Sequence, residues 1–278
     1  MQYRRHWISN DTKAAYHLNT MVKRIYIICT ILTMCLSTTT AQDSIVPHRS
    51  LAVAFGSRQF LDTYLSAEHY SGFDMAFTTE TQRMTKWDRW AWKSLVGIDF
   101  ASMSNRADNN TTLEMAVSYQ FSLTHDWTLA EGRLLLGCGG AAEASVGGAY
   151  NMRNQNNPAQ LRTGIQLKPE AEAIFTFNIL KKKSILRYNV STPVLGFVFS
   201  PKYGQSYYEI SQDNALHNFN ISTFVSTPSL RQQLTLDFPV NKSYIRVGYL
   251  GNYRQSKINE LKYHSYEHAF MIGYTKQL

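Results

Sequence analysis

Apolar and polar residues alternate along long stretches of this chain. In residues 113–124, every odd-numbered position is apolar and every even-numbered position is polar or small. A period of two puts the two sets on opposite faces of one β-strand. The stretch is about as long as the roughly 9–11 residues that a tilted strand needs to cross a bilayer.

The same alternation recurs between turn-forming residues. It predicts strands over residues 73–78, 137–148, 161–168 with a continuation at 175–179, 219–225, 234–238, 245–254 and 265–275, with 51–55 and 203–210 as further candidates. Turn signals lie at 105–110, 151–158, 181–183, 241–242 and 255–260. Helical periodicity is confined to a short turn around 57–65. The pattern predicts an all-β, antiparallel up-and-down transmembrane β-barrel of about 10–12 strands.

Periodicity alone does not say which face of such a barrel meets lipid. A soluble periplasmic ligand-binding barrel has the same alternation with its apolar face inside, and it stays open as an alternative. The long strands and an apolar face rich in Phe, Tyr and Leu favour the membrane barrel. Aromatic residues near strand ends are typical of a membrane boundary; they are Trp87, Trp90, Trp92, Trp127 and Tyr150.

Composition fits a surface that meets both lipid and water. Charged residues make up 17% of the chain and aromatic residues 13%, including 17 tyrosines. The net charge of +8 first suggests nucleic-acid binding. Half of that excess lies in residues 1–41, however, and the remainder is spread thinly, so we expect no nucleic-acid partner.

An export signal begins at Met21. Basic residues at 23–24 precede the apolar stretch 25–36, and small residues lead to Ala41. We expect residues 21–41 to form a signal peptide cleaved after Ala41, residues 1–20 to be a mis-annotated upstream extension, and 42–278 to be a single outer-membrane barrel domain. The mature chain then keeps one cysteine, Cys138, and has no internal disulfide.

Several short motifs resemble a known family. They are 154–159 (Asn-Gln-Asn-Asn-Pro-Ala), 200–210 (Ser-Pro-Lys-Tyr-Gly-Gln-Ser-Tyr-Tyr-Glu-Ile), 254–259 and 62–66. They are similar to an uncharacterised family of predicted outer-membrane barrel proteins from Bacteroidetes, over about residues 50–278. The resemblance implies export and a barrel, with outer-membrane lipid and the barrel-insertion machinery as partners. It implies no activity.

The segment 203–209 is the first candidate for a ligand contact. Gly204 permits a tight turn, and Ser206 and Glu209 are suited to meet a polar ligand. The alternative is a folded loop that caps or plugs the barrel, which we favour. The candidate residues are Tyr203, Gly204, Gln205, Ser206, Tyr207, Tyr208 and Glu209.

An outer-membrane phospholipase-like acyl hydrolase needs a serine, a histidine base and an orienting polar group within hydrogen-bond reach. Ser206 or Ser222, with His217 and Asn220, supply these residue types. His217 and Ser222 differ by an odd number of positions, so on one regular strand they would face opposite sides.

Charged residues on the polar faces either line a channel or pair and close it. In a barrel of about 10–12 strands the lumen is narrow, so we expect pairing. The residues are Arg162, Lys168, Glu170, Glu172, Asp237, Arg246 and Arg254. Histidines are scattered, so we expect no metal and no cofactor. The sequence therefore favours a non-enzymatic barrel for passage or binding of a small solute or lipid, with the hydrolase as the alternative.

Overall fold

The structure is a computed structural model, and it describes residues 47–155, 157–179, 182–212 and 215–278. The predicted signal peptide and upstream extension lie outside the described residues. Twelve strands alternate with short connections. They are β1 (His48–Asp62), β2 (Ser66–Met84), β3 (Trp90–Asn105), β4 (Thr111–Leu129), β5 (Leu134–Asn151), β6 (Ala159–Ile179), β7 (Lys182–Ser191), β8 (Leu195–Phe199), β9 (Phe219–Thr223), β10 (Leu230–Val240), β11 (Ser243–Ile258) and β12 (Leu261–Gln277).

All twelve strands belong to one antiparallel sheet that closes on itself. The order β5-β4-β3-β2-β1-β12-β11-β10-β7-β6 is closed by the pairing of β5 with β6. The strands β8 and β9 are added where β7 and β10 stop: β7 pairs with β6 at 170–179, and β8 pairs with β6 at 164–167. The result is a ten-stranded barrel with two extra strands, and the predicted antiparallel up-and-down barrel is confirmed.

The apolar face of the barrel points outward. Large apolar side chains on different strands are more than half exposed, including Leu51, Met115, Ile165, Ile221 and Phe270. Charged and polar side chains on the alternate positions are buried inside. This polarity is the reverse of that of a water-soluble barrel with an apolar interior, so it counts against the soluble alternative, and it is typical of a barrel whose outer surface meets lipid.

The two ends of the barrel differ. At the terminal end, where β1 starts and β12 stops, strands are joined by short turns. At the opposite end, the loop end, the connection 200–218 is the longest and contains α1 (Tyr207–Gln212) and a 3-10 helix (Ala215–Asn218). Also at the loop end, Asn259 and Glu260 join β11 to β12 with φ of 52° and 64°, the two left-handed residues that a tight hairpin turn requires.

Two local predictions are wrong. Residues 203–210 form a loop and a short helix instead of a strand, because Ser206 and Glu209 cap a helix there. Residues 57–65 do not form a helical turn: β1 runs to Asp62 and a turn follows. Their helical appearance came from the apolar side chains of Phe60, Leu61 and Tyr64, which are all buried. The candidate strand 51–55 is confirmed as part of β1.

Candidate functional site

Arg58 lies at the centre of the larger ion network in the lumen. Its guanidinium is fully buried and contacts four carboxylates, those of Asp74, Asp99, Glu114 and Glu267, at 2.7, 3.1, 2.6 and 3.3 Å. These residues come from five different strands, β1, β2, β3, β4 and β12. A buried arginine of this kind holds carboxylates that would be costly to bury alone.

A second network fills the lumen near the terminal end. Asp237 accepts hydrogen bonds from Arg246 at 2.7 Å and from Arg187 at 3.2 Å. Arg246 also reaches Glu80 at 3.5 Å, and Glu80 contacts the ring of His48 at 3.0 Å. The side chains therefore form a connected chain across the interior.

A third group lies beside this network. Lys93 forms an ion pair with Glu170 and approaches Glu172 at 3.6 Å. Glu170 also accepts hydrogen bonds from Gln120 and Ser122 at 2.9 and 2.7 Å. Glu170 and Glu172 are thus held by a cation and by polar donors, as burial requires.

Apolar clusters also lie in the lumen. Near the loop end, Phe60, Tyr64, Tyr70, Met103 and Tyr263 form a buried cluster with smaller residues. Alanines and Met271 form a second cluster, and Leu135, Ile174 and Ile185 belong to a third that Met84 and Tyr244 cover. Ion pairs and apolar clusters together fill the lumen with side chains.

All seven predicted lumen charges lie on inward-facing positions and have partners. Only Asp237 and Arg246 pair with each other within that set. The others pair as Arg162–Asp62, Lys168–Glu143, Lys93 with Glu170 and Glu172, and Arg254 with Asp99 and Glu114.

Sequence reasoning missed Arg58, Lys93 and Glu114. The sequence signal for Arg58 was its place in the two-residue alternation of β1. It lies on the same even-numbered face as the buried Ala52, Ala54 and Phe60.

The segment 200–218 folds over the loop end of the barrel. Tyr207 packs edge-on against Tyr64 with ring centroids 6.0 Å apart, and the Tyr64 hydroxyl donates to the Gln205 carbonyl at 2.8 Å. The Tyr207 hydroxyl accepts the Leu161 N–H and donates to Gln160. Burial raises the pKa of both tyrosines, so their hydroxyls keep their protons for these contacts. Within 203–209, Tyr203 and Tyr208 are exposed, and Gly204 adopts φ of 77°.

Ser206 and Glu209 bind each other at the start of α1. The Ser206 N–H donates to the Glu209 carboxylate at 2.7 Å, and the Glu209 N–H donates to the Ser206 hydroxyl at 3.3 Å. This reciprocal pair is a capping box. The Ser206 N–H and hydroxyl lower the pKa of Glu209, because both donate to its charged form. The two side chains are engaged in structure rather than presented to a ligand.

The serines proposed for hydrolysis are not set up as nucleophiles. Ser206 uses its hydroxyl to cap α1, while Ser222 is buried in β9 with no hydrogen-bond partner for its hydroxyl within the described residues. His217 lies exposed at the end of the 3-10 helix, and the Asn220 amide donates to the Ser200 carbonyl at 3.2 Å. A hydrolytic serine needs a base at hydrogen-bond distance, and Ser222 has none.

The barrel wall is interrupted beside β11. The ladder between β10 and β11 stops at Leu230 and Tyr253, whereas β11 continues to Ile258. The neighbouring strand β9 pairs only with β8 in the described sheet. We call the break between β9 and residues 254–258 the wall gap.

Three hydrogen bonds bridge the wall gap in place of a ladder. The Lys257 N–H donates to the Ser226 carbonyl at 2.8 Å, the Gln255 N–H donates to the Ser229 hydroxyl at 3.2 Å, and the Ser229 hydroxyl donates to the Gln255 carbonyl at 3.4 Å. Further toward the loop end, the Asn259 amide donates to the Ser200 carbonyl at 2.9 Å.

Prolines mark the level at which the strands break. Pro169 lies in β6, Pro193 between β7 and β8, and Pro228 between β9 and β10. Proline has no N–H to give to a ladder, so it is suited to places where pairing ends. The three prolines are adjacent in space: the Thr192 N–H donates to the Pro169 carbonyl at 3.3 Å, and the Thr192 hydroxyl donates to the Ser229 carbonyl at 2.6 Å. The repeated Ser-Thr-Pro at 191–193 and 226–228 was the missed sequence signal.

A cavity of about 130 Å³ lies at the wall gap. We call it the side cavity. It is lined from inside the barrel by Glu114, Arg162 and Arg254, and at the gap by Thr227 and Ser229. The lining thus combines lumen charges with hydroxyl groups of the interrupted wall.

Within the described residues, no helix is long and apolar enough to span a membrane. Among the same residues, no group of three or more His, Cys, Asp or Glu side chains is arranged to hold a metal ion.

The fold and the filled lumen define a closed antiparallel β-barrel with an apolar exterior. Residues 24–278 match the family model described as protein of unknown function (DUF3316), and the chain belongs to that family. A search of curated proteins finds no match.

Solved structures with similarity to this chain include two autotransporter domains and an outer-membrane channel. The transport unit of the autotransporter AIDA-I from Escherichia coli is 7% identical, with a TM-score of 0.46, over 90% of this chain and 96% of that one. The translocator domain of the autotransporter NalP from Neisseria meningitidis is 10% identical, with a TM-score of 0.37, over 96% and 98%. An outer-membrane channel from Pseudomonas putida F1 is 7% identical, with a TM-score of 0.34, over 87% and 100%.

Proposed function

We propose that the protein is an integral outer-membrane barrel of non-enzymatic role that binds a small amphiphile, such as a lipid, at the side cavity. In this proposal the segment 21–41 directs export, cleavage follows Ala41, and the barrel-insertion machinery of a Gram-negative bacterium of the Bacteroidetes places the mature chain in the outer membrane. The loop end then faces outward, since longer loops are extracellular in such barrels.

The observation that carries the proposal is the side cavity in a barrel whose lumen is filled. Passage through the lumen would require the network around Arg58 and the apolar clusters to part. The side cavity is open and is lined in part by Val198, whose chain neighbour Phe197 is exposed on the wall, as is Ile221, the partner of Phe197 in β9. A polar cavity beside an apolar surface suits a molecule with a polar head and an apolar tail.

Location is tested by fractionation of cells that express the full chain. We expect the protein in the outer-membrane fraction, with a gel mobility that changes on heating as the barrel unfolds. Recovery in the soluble periplasmic fraction would contradict the proposal.

Two measurements separate binding from passage. With the refolded barrel in planar bilayers we expect no conductance steps at moderate voltage, because ion pairs fill the lumen. Native mass spectrometry of the barrel extracted from the membrane in mild detergent, without refolding, is expected to show one retained amphiphile per barrel. Regular conductance steps without any retained or added amphiphile would favour passage instead.

A further inference from the structure

The side cavity has the chemistry to select its ligand by charge. We propose that it binds the anionic oxyacid head group, carboxylate or phosphate, of an acyl-chain amphiphile, with Arg254 and Arg162 as its cations. This inference rests on the proposed function and names the ligand class of the same site. The acyl chain would leave through the wall gap and lie against the apolar exterior.

Arg254 has hydrogen-bond donors to spare. Its polar contacts are all long: 3.4 Å to Asp99, 3.6 Å to Glu114 and 3.5 Å to the Ser265 hydroxyl. Its Nε has no hydrogen-bond partner within the described residues, although the atom is buried. An arginine presents five N–H donors in a fork that matches carboxylate and phosphate oxygens. A guanidinium that makes only long contacts, on a side chain that is 28% exposed, is therefore a ready site for an oxyanion.

The carboxylates near Arg254 are held more tightly by another cation. Arg58 binds Glu114 at 2.6 Å and Asp99 at 3.1 Å, and the Tyr263 hydroxyl donates to Glu114 at 2.9 Å. These contacts satisfy the two acids without Arg254. They reduce the negative field that an incoming anion meets at the cavity.

Arg162 is positioned as the second cation. It pairs with Asp62, its guanidinium carbon lies 3.3 Å from the centroid of the Tyr263 ring, and its Nε has no hydrogen-bond partner within the described residues. The stacking fixes the guanidinium plane while a donor remains unused. Arg162 and Arg254 line the same cavity.

The outer side of the wall gap suits an acyl chain. Phe197 and Ile221 are 58% and 64% exposed on the outer face of β8 and β9. Beyond β9, Phe224 and Val225 are also exposed. Thr227 and Ser229, at the gap, line the same cavity as the two arginines. The wall gap thus brings together cationic, hydroxyl-bearing and apolar side chains. These suit the charged head group and the apolar tail of an anionic amphiphile.

The test is a titration of the refolded full chain, in neutral detergent, with amphiphiles of one chain length that differ only in the head group. The heads are carboxylate, phosphate, zwitterionic phosphocholine and quaternary ammonium, and binding is followed by calorimetry. We expect at least one of the carboxylate and phosphate compounds to bind about tenfold or more tightly than the ammonium compound. The two anionic arms identify whether a fatty acid or a phosphate-bearing lipid is preferred.

Three variants locate the site. Arg254→Gln is expected to weaken binding of the anion by about tenfold or more, because a charge-assisted bidentate contact is lost. Ser256→Trp fills the cavity from β11 without removing an ion pair and is expected to abolish binding. Arg89→Gln, on an exposed turn at the terminal end, is expected to change nothing.

The outcomes separate the inference from the function on which it rests. Equal binding of all heads, tighter binding of the ammonium compound, or full affinity in a folded Arg254→Gln barrel would overturn the anionic selectivity. In those cases loss of binding in Ser256→Trp would still leave the amphiphile site standing. Absence of binding by every compound would overturn the proposed function itself.

Discussion

Arg58 and Glu114 bind each other at 2.6 Å across the barrel interior, although β2 and β3 separate their strands in the sheet. The contact spans the lumen rather than running along the wall. It ties β1 to β4 through side chains alone, and the same guanidinium also holds Asp74, Asp99 and Glu267. The filled lumen therefore acts as an internal brace for the barrel.

Removal of Arg58 is expected to be severely destabilising. Arg58→Met leaves four buried carboxylates without their shared cation, and breaking a buried ion network in this way typically costs about 3–5 kcal/mol. The free energy of unfolding, measured by denaturant titration of the barrel in lipid vesicles, checks this. Arg89→Met is the control, since Arg89 is exposed, and it should leave the midpoint unchanged. A midpoint for Arg58→Met equal to that of the control would contradict the bracing role.

Two adjacent glycines on β5 are expected to respond differently to the same substitution. A Cβ at Gly139 would lie 1.9 Å from the Leu123 carbonyl oxygen, whereas the nearest atom to a Cβ at Gly140 is 4.0 Å away. Gly139→Ala must displace the backbone of β4 and should cost about 1–3 kcal/mol, as overpacking does. Gly140→Ala should be close to neutral. Equal unfolding free energies for the two variants would show that β4 and β5 are not as close as the structure has them.

The outward apolar face is expected to reject charge. Ile165 is 60% exposed on the outside of β6, and lysine there should cost about 2–4 kcal/mol if the position lies near the bilayer midplane. Ile165→Lys should therefore refold poorly into vesicles and unfold at lower denaturant concentration. Tyr203→Lys, on the exposed loop, is the control and should behave as the native chain does. A fully tolerated lysine at 165 would mean that this face meets water.

The helix α1 is expected to loosen at low pH. The pKa of Glu209 is lowered in the folded state, so its capping contribution is complete above the usual value of 4.5 and is lost as the pH falls through the lowered pKa. Amide exchange of residues 206–212, measured as a function of pH against the barrel strands, checks this. Glu209→Gln should remove the pH dependence and raise exchange at neutral pH. Exchange in the native chain that follows only the intrinsic pH trend would contradict the cap.

The sequence by itself determined many of the strands and their two faces, although β3, β7 and β8 were not among the predicted ranges. In β4 the alternation at 113–124 is unbroken, and the structure turns Met115 outward and Glu114 inward as that period requires. Alternation is a local property, because neighbouring side chains on a strand always point to opposite sides. The sequence also located five of the eleven connections between the described strands, where residues such as Asn and Pro act through their own backbone preferences.

The local sequence pattern gave a wrong prediction at residues 203–210, where the same residues fit both a strand and a capped helix. At 203–210 the run of tyrosines suggested a strand, but the serine and glutamate three positions apart cap a helix, and Tyr207 then turns onto Tyr64. The predicted ligand contacts of Ser206 and Glu209 are taken up by this cap. Recognising the capping box would have corrected both interpretations.

Only the tertiary structure decided which charges meet and where the wall opens. The inward phase places Arg58, Glu114 and Glu267 in the lumen, but their separation of up to 209 residues along the chain means that strand register and barrel closure select the partners. The wall gap follows from the alignment of Pro169, Pro193 and Pro228. The sequence of any one strand does not show that the three prolines will be aligned. Side-chain period is set within a strand, whereas partners and openings are set between strands that meet only when the sheet closes.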